Sequence, residues 1–270
     1  MRLRWFGAVL LAVGVSAHAQ EFLSPPPADP SPITDHLAFR AIYFFGKVAT
    51  DAQFNGSNNL VGTQISAEQL LGLPTKTDQF LVELVFRLED RTRLRVNFLD
   101  LRRQGDVILG QTLQFGNQTF QVGQQVKSEF DYREMDVTHT YSLLRGSWYE
   151  LGVGGGLQLI EAQAQAAVPA TPKFQTFSGA GIFGTPAIDG TILLIRHWSL
   201  NVRAQYLRVS VHNVAGLLEE FHGDLQYRWR RPLAFGVGYE WQDIERDVNS
   251  SNGNIRLKIN GPEAFVRASY

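Results

Sequence analysis

The residues best placed to do covalent chemistry are Ser210, Val211 and His212, with Glu219, Glu220 and His222 a few positions further along the chain. A serine nucleophile needs a base within hydrogen-bond reach and a third group that orients the base. Alternate residues of a strand share a face, so Ser210 and His212 can meet, with the acids and His222 across the next turn. Such a group would act as a hydrolase at the rim of the element that carries it. The simpler reading is a serine beside a solvated loop histidine, since loops run over the surface and hold such pairs without catalysis. The other histidines, His36, His139 and His197, lack the spacing of metal ligands, so neither a metal site nor a cofactor is expected. The chain contains no cysteine, which excludes a disulfide framework, a thiolate metal centre and a lipid-modified cysteine together.

Most charged side chains are spaced for another purpose. They alternate with apolar residues at period two, the spacing of β-strands. In Thr92 to Asn97, Leu94 and Val96 (then Phe98) take one face while Arg93, Arg95 and Asn97 take the other. Ser199 to Tyr206, Phe221 to Trp229 and Leu233 to Gln242 repeat the scheme. A soluble sandwich or lipocalin-like barrel would bury one face and wet the other. Here large aromatics hold one face, and a core lined by Arg93, Arg203, Asp224 and Arg228 would be costly to bury. A hydrated lumen tolerates those groups while the aromatics meet lipid, so the alternation predicts an all-β, membrane-spanning, up-and-down antiparallel barrel.

The face expected to line the lumen carries Glu83, Arg87, Arg93, Arg95, Asp189, Arg203, Asp224, Arg228, Glu240, Glu263 and Arg267. A selective pore tends to show a belt of one sign, whereas mixed signs point to a paired network filling a narrow interior. Gly152, Gly154 and Gly156 share one face, as do Gly236 and Gly238, which leaves room for long side chains opposite. Segment 37–48 departs from the rule: Ile42 and Phe44 share parity with Arg40, which implies an apolar patch or plug contact inside.

Connections alternate between short and long, as periplasmic turns and extracellular loops do. Short turns fall at Glu89 to Arg91, Arg145 to Ser147, around Arg196 and His197, and at Arg230 to Pro232. Longer polar stretches fall near 50–77, 104–125, 162–182, 212–218 and 246–254. Ten strands follow, at 37–48, 79–88, 92–102, 127–144, 148–161, 185–195, 199–211, 218–229, 233–245 and 255–270. Eight result if one hairpin leaves the membrane, and twelve if 106–125 inserts as a further hairpin. Aromatics cluster at the expected interfaces, where amphipathic rings form girdles. Trp148, Tyr149, Trp198, Tyr227, Trp229 and Tyr270 belong to the periplasmic side, and Tyr239 with Trp241 to the outer one. In the first long stretch, Ser66 and Gln69 have capping-box spacing for a helical turn. Leu70, Leu71 and Leu73 there would pack over the barrel mouth or meet a partner.

The ends complete the reading. Arg2 and Arg4, the apolar run Phe6 to Val15 and the triplet Ala17, His18, Ala19 form a secretory signal peptide over 1–19. The run is shorter than the roughly 20 residues of a membrane helix. Residues 20–36, rich in proline, read as an extended periplasmic lead-in, and 37–270 as the barrel. Removing Arg2 and Arg4 leaves 23 basic residues against 26 acidic, which offers no footprint for nucleic acid. The last strand alternates Ala264, Val266 and Ala268 with Glu263, Arg267 and Ser269 and stops on Tyr270. In this it resembles the bacterial outer-membrane β-barrel proteins, whose terminal aromatic is recognised by the barrel-assembly machinery. The resemblance implies Sec-type export, the outer membrane of a Gram-negative bacterium, and contact with its lipids and lipopolysaccharide. The leading expectation is a non-enzymatic barrel with a structural or surface-binding role in the envelope. A narrow pore for small solutes and a rim hydrolase using Ser210 and His212 are the alternatives.

Overall fold

The computed structural model describes residues 31–57, 60–169, 171, 173–195, 197–211, 214–248 and 253–270. The segment expected to be a signal peptide and the lead-in as far as residue 30 lie outside the described residues. In chain order the elements are β1 (Leu37–Gln53), β2 (Ile65–Ser66), α1 (Ala67–Leu70), β3 (Lys76–Glu89), β4 (Thr92–Ile108), β5 (Leu113–Phe115) and β6 (Gln118–Phe120). Then follow β7 (Gln125–Arg145), β8 (Tyr149–Ala167), β9 (Phe174–Ile195), β10 (Trp198–Val211), β11 (Val214–Arg230), β12 (Leu233–Val248) and β13 (Gly253–Ser269).

Ten of these strands form the wall, in the order β1, β3, β4, β7, β8, β9, β10, β11, β12, β13. Each pairs antiparallel with its neighbour in this order, and β13 returns to β1 with Arg267 opposite Arg40. Ten is the number the alternation predicts. Twelve fails because segment 106–125 folds its hairpin, β5 and β6, into a separate two-stranded sheet outside the wall. Eight fails because every long strand belongs to the closed sheet.

The strands run further than the alternation suggests. β7, β8 and β9 have 21, 19 and 22 residues, so most of the expected loop 162–182 is strand. The extra length obeys a different amphipathic rule. On β7, Met135, Val137, Tyr141 and Leu143 point outward while Glu134, Asp136, Thr138 and Thr140 are buried inside. Beyond that level Lys127, Glu129, Asp131 and Arg133 point outward, and Val126, Phe130 and Tyr132 are buried. The same exchange separates Phe98 from Asp100 on β4, Leu159 from Glu161 on β8, Phe221 from Glu219 on β11 and Phe45 from Lys47 on β1. One ring around the barrel therefore divides it. Below the ring the outer face is apolar for about 9–11 residues per strand, as a tilted strand crossing a bilayer requires. Above it, the strands enclose an apolar core and show charge to water. Ile42 and Phe44, which broke the pattern of β1, are buried at the base of that upper core.

The first long loop closes the mouth. Ile65, Ala67, Leu71 and Leu73 are buried in the upper core, so the leucines face inward rather than toward a partner. The one-turn helix α1 forms, but Ser66 makes no side-chain capping bond. Its anchor is Glu68, which accepts from Arg103 at 2.6 Å and from the Thr50 amide at 3.0 Å. Gly105 on β4 permits the close approach, since a Cβ there would lie 2.2 Å from the Leu71 carbonyl oxygen. Over this, Leu113, Phe115 and Phe120 of the β5–β6 hairpin are fully buried.

Besides a two-residue break between β1 and β13 at Phe45 and Gly46, the wall has two long unpaired stretches among the described residues. β3 and β4 pair from Glu89 opposite Thr92 up to Val82 opposite Phe98, and β9 and β10 pair only as far as Ala187 opposite Gln205. The next residue of β9 is Pro186, which has no N–H to give β10. Beyond it β9 continues beside β8 alone, from Gly155 opposite Pro186 to Ala167 opposite Phe174.

Candidate functional site

The lower lumen is crossed by ion pairs. Arg203 on β10 donates to Glu83 on β3 at 2.7 Å, to Glu220 on β11 at 3.1 Å and to Glu240 on β12 at 3.1 Å. Arg40 on β1 lies 3.1 Å from each of Glu83, Asp224 and Glu263. Its guanidinium also stands 3.7 Å from the centre of the Phe265 ring, a cation–π contact. Arg93 on β4 reaches Asp189 on β9 at 2.8 Å and Glu150 on β8 at 3.3 Å. Arg87 makes a two-pronged bond to Glu150, both contacts at 2.8 Å. Arg95 stands 3.5 Å from Glu83. At the end with the short turns Arg228 and Arg267 converge on Asp35, just before β1. All eleven charged residues assigned to the lumen by parity thus sit inside the barrel, brought together by strands from opposite walls.

The glycines make the space. A Cβ on Gly152 would lie 2.3 Å from Asp189 Oδ1, and one on Gly236 would lie 2.1 Å from the Phe265 ring. Parity alone did not single out Asp35, Arg40, Glu134, Asp136, Glu150 and Glu220, which join the network. The alternation was readable for Glu134, Asp136 and Glu150. Asp35 lies in the proline-rich lead-in and gave no signal.

The proposed hydrolytic group does not assemble among the described residues. Ser210 has only its backbone described, opposite Ala215, and His212 lies outside the described residues. His222 sits opposite Arg203, seven positions below Ala215, roughly 23 Å along the strand. It is buried and bonded to Glu263 at 2.8 Å, while Glu220 is held by Arg203 and Gln158. Both point inward and belong to the lumen network rather than to the rim, His222 below the dividing ring and Glu220 at its level. Glu219 points outward.

His222, Glu240 and Glu263 are close enough to hold a cation, with ligand atoms all within 4.8 Å of one another. Arg203 bonds Glu240 and Arg40 bonds Glu263, each at 3.1 Å, so the positive charge at this point is already supplied by arginine.

The outer surface carries the aromatics. Trp148, Trp198, Tyr227, Trp229 and Tyr270 are exposed beside the short turns, with Tyr149 half-buried next to Trp148. Tyr239 and Trp241 face outward near the dividing ring. Tyr43 and Tyr206 stand at similar heights without having been singled out.

No family model and no curated protein matches the sequence. Solved structures do match in shape. The outer membrane protease OmpT from Escherichia coli aligns with a TM-score of 0.61 at 10% identity, over 87% of this chain and 96% of that one. The transport unit of the autotransporter AIDA-I from Escherichia coli gives 0.42 at 9% identity, over 94% and 95%. Ail, the attachment invasion locus protein of Yersinia pestis, gives 0.39 at 8% identity, over 86% and 99%. At such identities the likeness concerns the fold. Apolar outer belt, charged lumen, ten antiparallel strands and the fold shared with OmpT make the chain a β-barrel of the Gram-negative outer-membrane type.

Proposed function

We propose that the chain is a Sec-exported, integral outer-membrane protein, closed to solutes and non-enzymatic, whose role lies in what its extracellular half binds. The observation that carries this reading is the set of ion pairs spanning the lumen, Arg203 to Glu83 and Arg93 to Asp189 above all. Side chains joined across a narrow barrel occupy the path that an ion would take. A buried network of both signs serves rigidity better than selectivity. The upper core and the inserted first loop close the same path a second time.

Outer-membrane lipids fit the lower belt, and the basic residues just above it, such as Lys47 and Arg133, stand where lipopolysaccharide phosphates would lie. Assembly through the last strand is supported by the closure itself. The Tyr270 carbonyl accepts from the His36 and Leu37 amides at 2.8 and 3.0 Å, and the Tyr270 amide donates to Leu37 at 2.8 Å. The test is planar-bilayer recording on purified protein that shifts on a gel when boiled. The expected result is no steady conductance. A reproducible channel would overturn the closed-barrel reading and favour the narrow pore.

A further inference from the structure

We propose that the extracellular half of the barrel binds a lipid acyl chain, taken from the outer leaflet through the unpaired stretch between β9 and β10. The inference deepens the binding role just proposed and rests on it.

The upper core is not solid. It contains a half-open cavity of about 450 Å³, with Phe130, Tyr132, Ile160, Phe177, Phe183 and Leu257 in its lining. That size falls within the range of small-molecule sites, which are mostly apolar with a few polar groups. Its roof is an aromatic cluster: Phe54, Phe115 and Phe177 have ring centroids 4.7 to 5.3 Å apart. Its lowest lining residue with a polar tip is Tyr132, whose hydroxyl points away to Glu134, a carboxylate below the cavity that Gln242 also holds at 2.8 Å. A chain of methylenes suits such walls, and a charged solute does not.

Access is from the side. β9 lines the cavity with Gly179, Gly181 and Phe183, which belong to the stretch with no pairing to β10. Two of these bring no side chain, so the wall there is backbone. Phe183 turns inward, and a Cβ on Gly216 of β11 would stand 3.9 Å from its ring. The height of the gap names the source of the ligand. Ile182 pairs with Leu159, the last apolar outward residue of β8, and Ala180 pairs with Glu161, the first charged one. The gap thus begins within the outer leaflet and rises to its surface. Ile182 and Leu157 are exposed beside it by 70% and 56%, an apolar approach for a chain leaving the bilayer.

The other unpaired stretch serves as a contrast. Beside β3 and β4 the cavity is only about 70 Å³. The first loop fills the space above, through the Leu71 contact at Gly105 and the bond from Arg103 to the Pro74 carbonyl at 3.4 Å.

The test uses the full mature chain in phospholipid nanodiscs that contain a diazirine-bearing palmitic acid, photolysed and mapped by peptide mass spectrometry. Label is expected on Phe130, Tyr132 or Phe177 inside as well as on Leu157 and Ile182 outside. Outside label alone would overturn the inference while leaving the membrane barrel standing. Absence of both would overturn the barrel assignment itself. Gly181→Trp should fill the cavity and abolish the inner label with the outer label intact, and heat modifiability on a gel checks that it folds.

The route has its own variant. Continuing the register of Ala187 opposite Gln205 places Gly184 opposite Arg208, and a Cβ on Gly184 meets nothing within 4 Å. The chain has no cysteine, so a Gly184→Cys, Arg208→Cys pair can be bridged cleanly by a short bis-maleimide. Bridging before the probe is added should remove the inner label. Inner label that persists in the bridged protein would overturn the lateral route.

Discussion

Arg203→Met should destabilise the barrel severely, and the size of the loss distinguishes a closed network from a watery pore. Arg203 holds Glu83 at 2.7 Å and Glu220 and Glu240 at 3.1 Å, with only 12% of its side chain exposed. Removing one partner of a buried ion pair costs roughly 3–5 kcal/mol, because the remaining charge is left uncompensated. The three carboxylates do not lose equally. Glu83 keeps Arg40 at 3.1 Å and Arg95 at 3.5 Å, and Glu220 keeps a bond from Gln158 at 3.2 Å. Glu240 depends on Arg203 most directly, so most of the cost should reside there. Adding Glu240→Gln to the Met variant should therefore return about 0.5–3 kcal/mol, the range of coupling between residues in contact. Urea titration of barrel folded in lipid vesicles, followed by tryptophan fluorescence, reads both values. If Arg203→Met stays within about 0.5 kcal/mol of the parent, as an exposed substitution does, the lumen is hydrated and its charges are screened. The argument for a closed barrel would then fail with it.

The dividing ring predicts that one substitution has two outcomes on one face of one strand. Val153→Arg, outward within the lower belt of β8, should cost about 2–4 kcal/mol by the same titration, whereas Gln163→Arg, outward above the ring, should change stability by less than about 0.5 kcal/mol. Equal costs would refute the placement of the ring. Gly236→Val should block folding, since even a Cβ would meet the Phe265 ring at 2.1 Å and the Leu225 carbonyl oxygen at 2.8 Å, and loss of the heat-modifiable band would report it. Combining it with Phe265→Ala should restore that band only in part, because the contact with the Leu225 carbonyl remains. Ser210→Ala and His212→Ala should leave an ester-hydrolysis assay at the background of the unmutated protein. Activity that both variants abolish would revive the rim hydrolase.

How much of this was legible follows from period two. The alternation of Leu94 with Arg93, or of Tyr239 with Glu240, fixes a face without any knowledge of neighbours. It therefore yielded the barrel, the ten strands and the lumen side of Arg203 and Glu263. It failed where the solvent changes. On β8 the apolar positions pass from Leu157 and Leu159 to Ile160, Ala162 and Ala164, a change of parity. In a sequence this resembles a strand ending, so 162–182 read as loop. His222 was misplaced for a related reason. Its nearness to Ser210 in sequence ignored the register, which sets Arg203 opposite it and carries it deep into the lumen. Loop contacts such as Glu68 with Arg103 depend on how the chain folds back and leave no periodic trace.

The two halves of each strand obey two solvents, and the unpaired stretch beside β9 sits where they meet. Below the ring lipid is as apolar as any side chain, so the interior gains nothing by being greasy and is held by ion pairs. Above it water surrounds the wall, and burying Phe130 or Leu257 contributes about 25 cal/mol per Å² of apolar surface. On β9 the exchange falls between Thr185, buried low in the lumen, and Phe183 in the upper core. An open strand edge at that height is costly, because each backbone group left unpaired in hydrocarbon costs several kcal/mol. The sequence lowers the cost in three ways. Pro186 brings no N–H, the Phe183 ring turns in against β11, and within a few residues the edge climbs from Ile182 to the level of Glu161 and water. A strand that only needed to complete the wall would not require proline at this point. The arrangement makes sense where the opening is used, and a chain entering from the leaflet would cover the edge that the wall leaves bare.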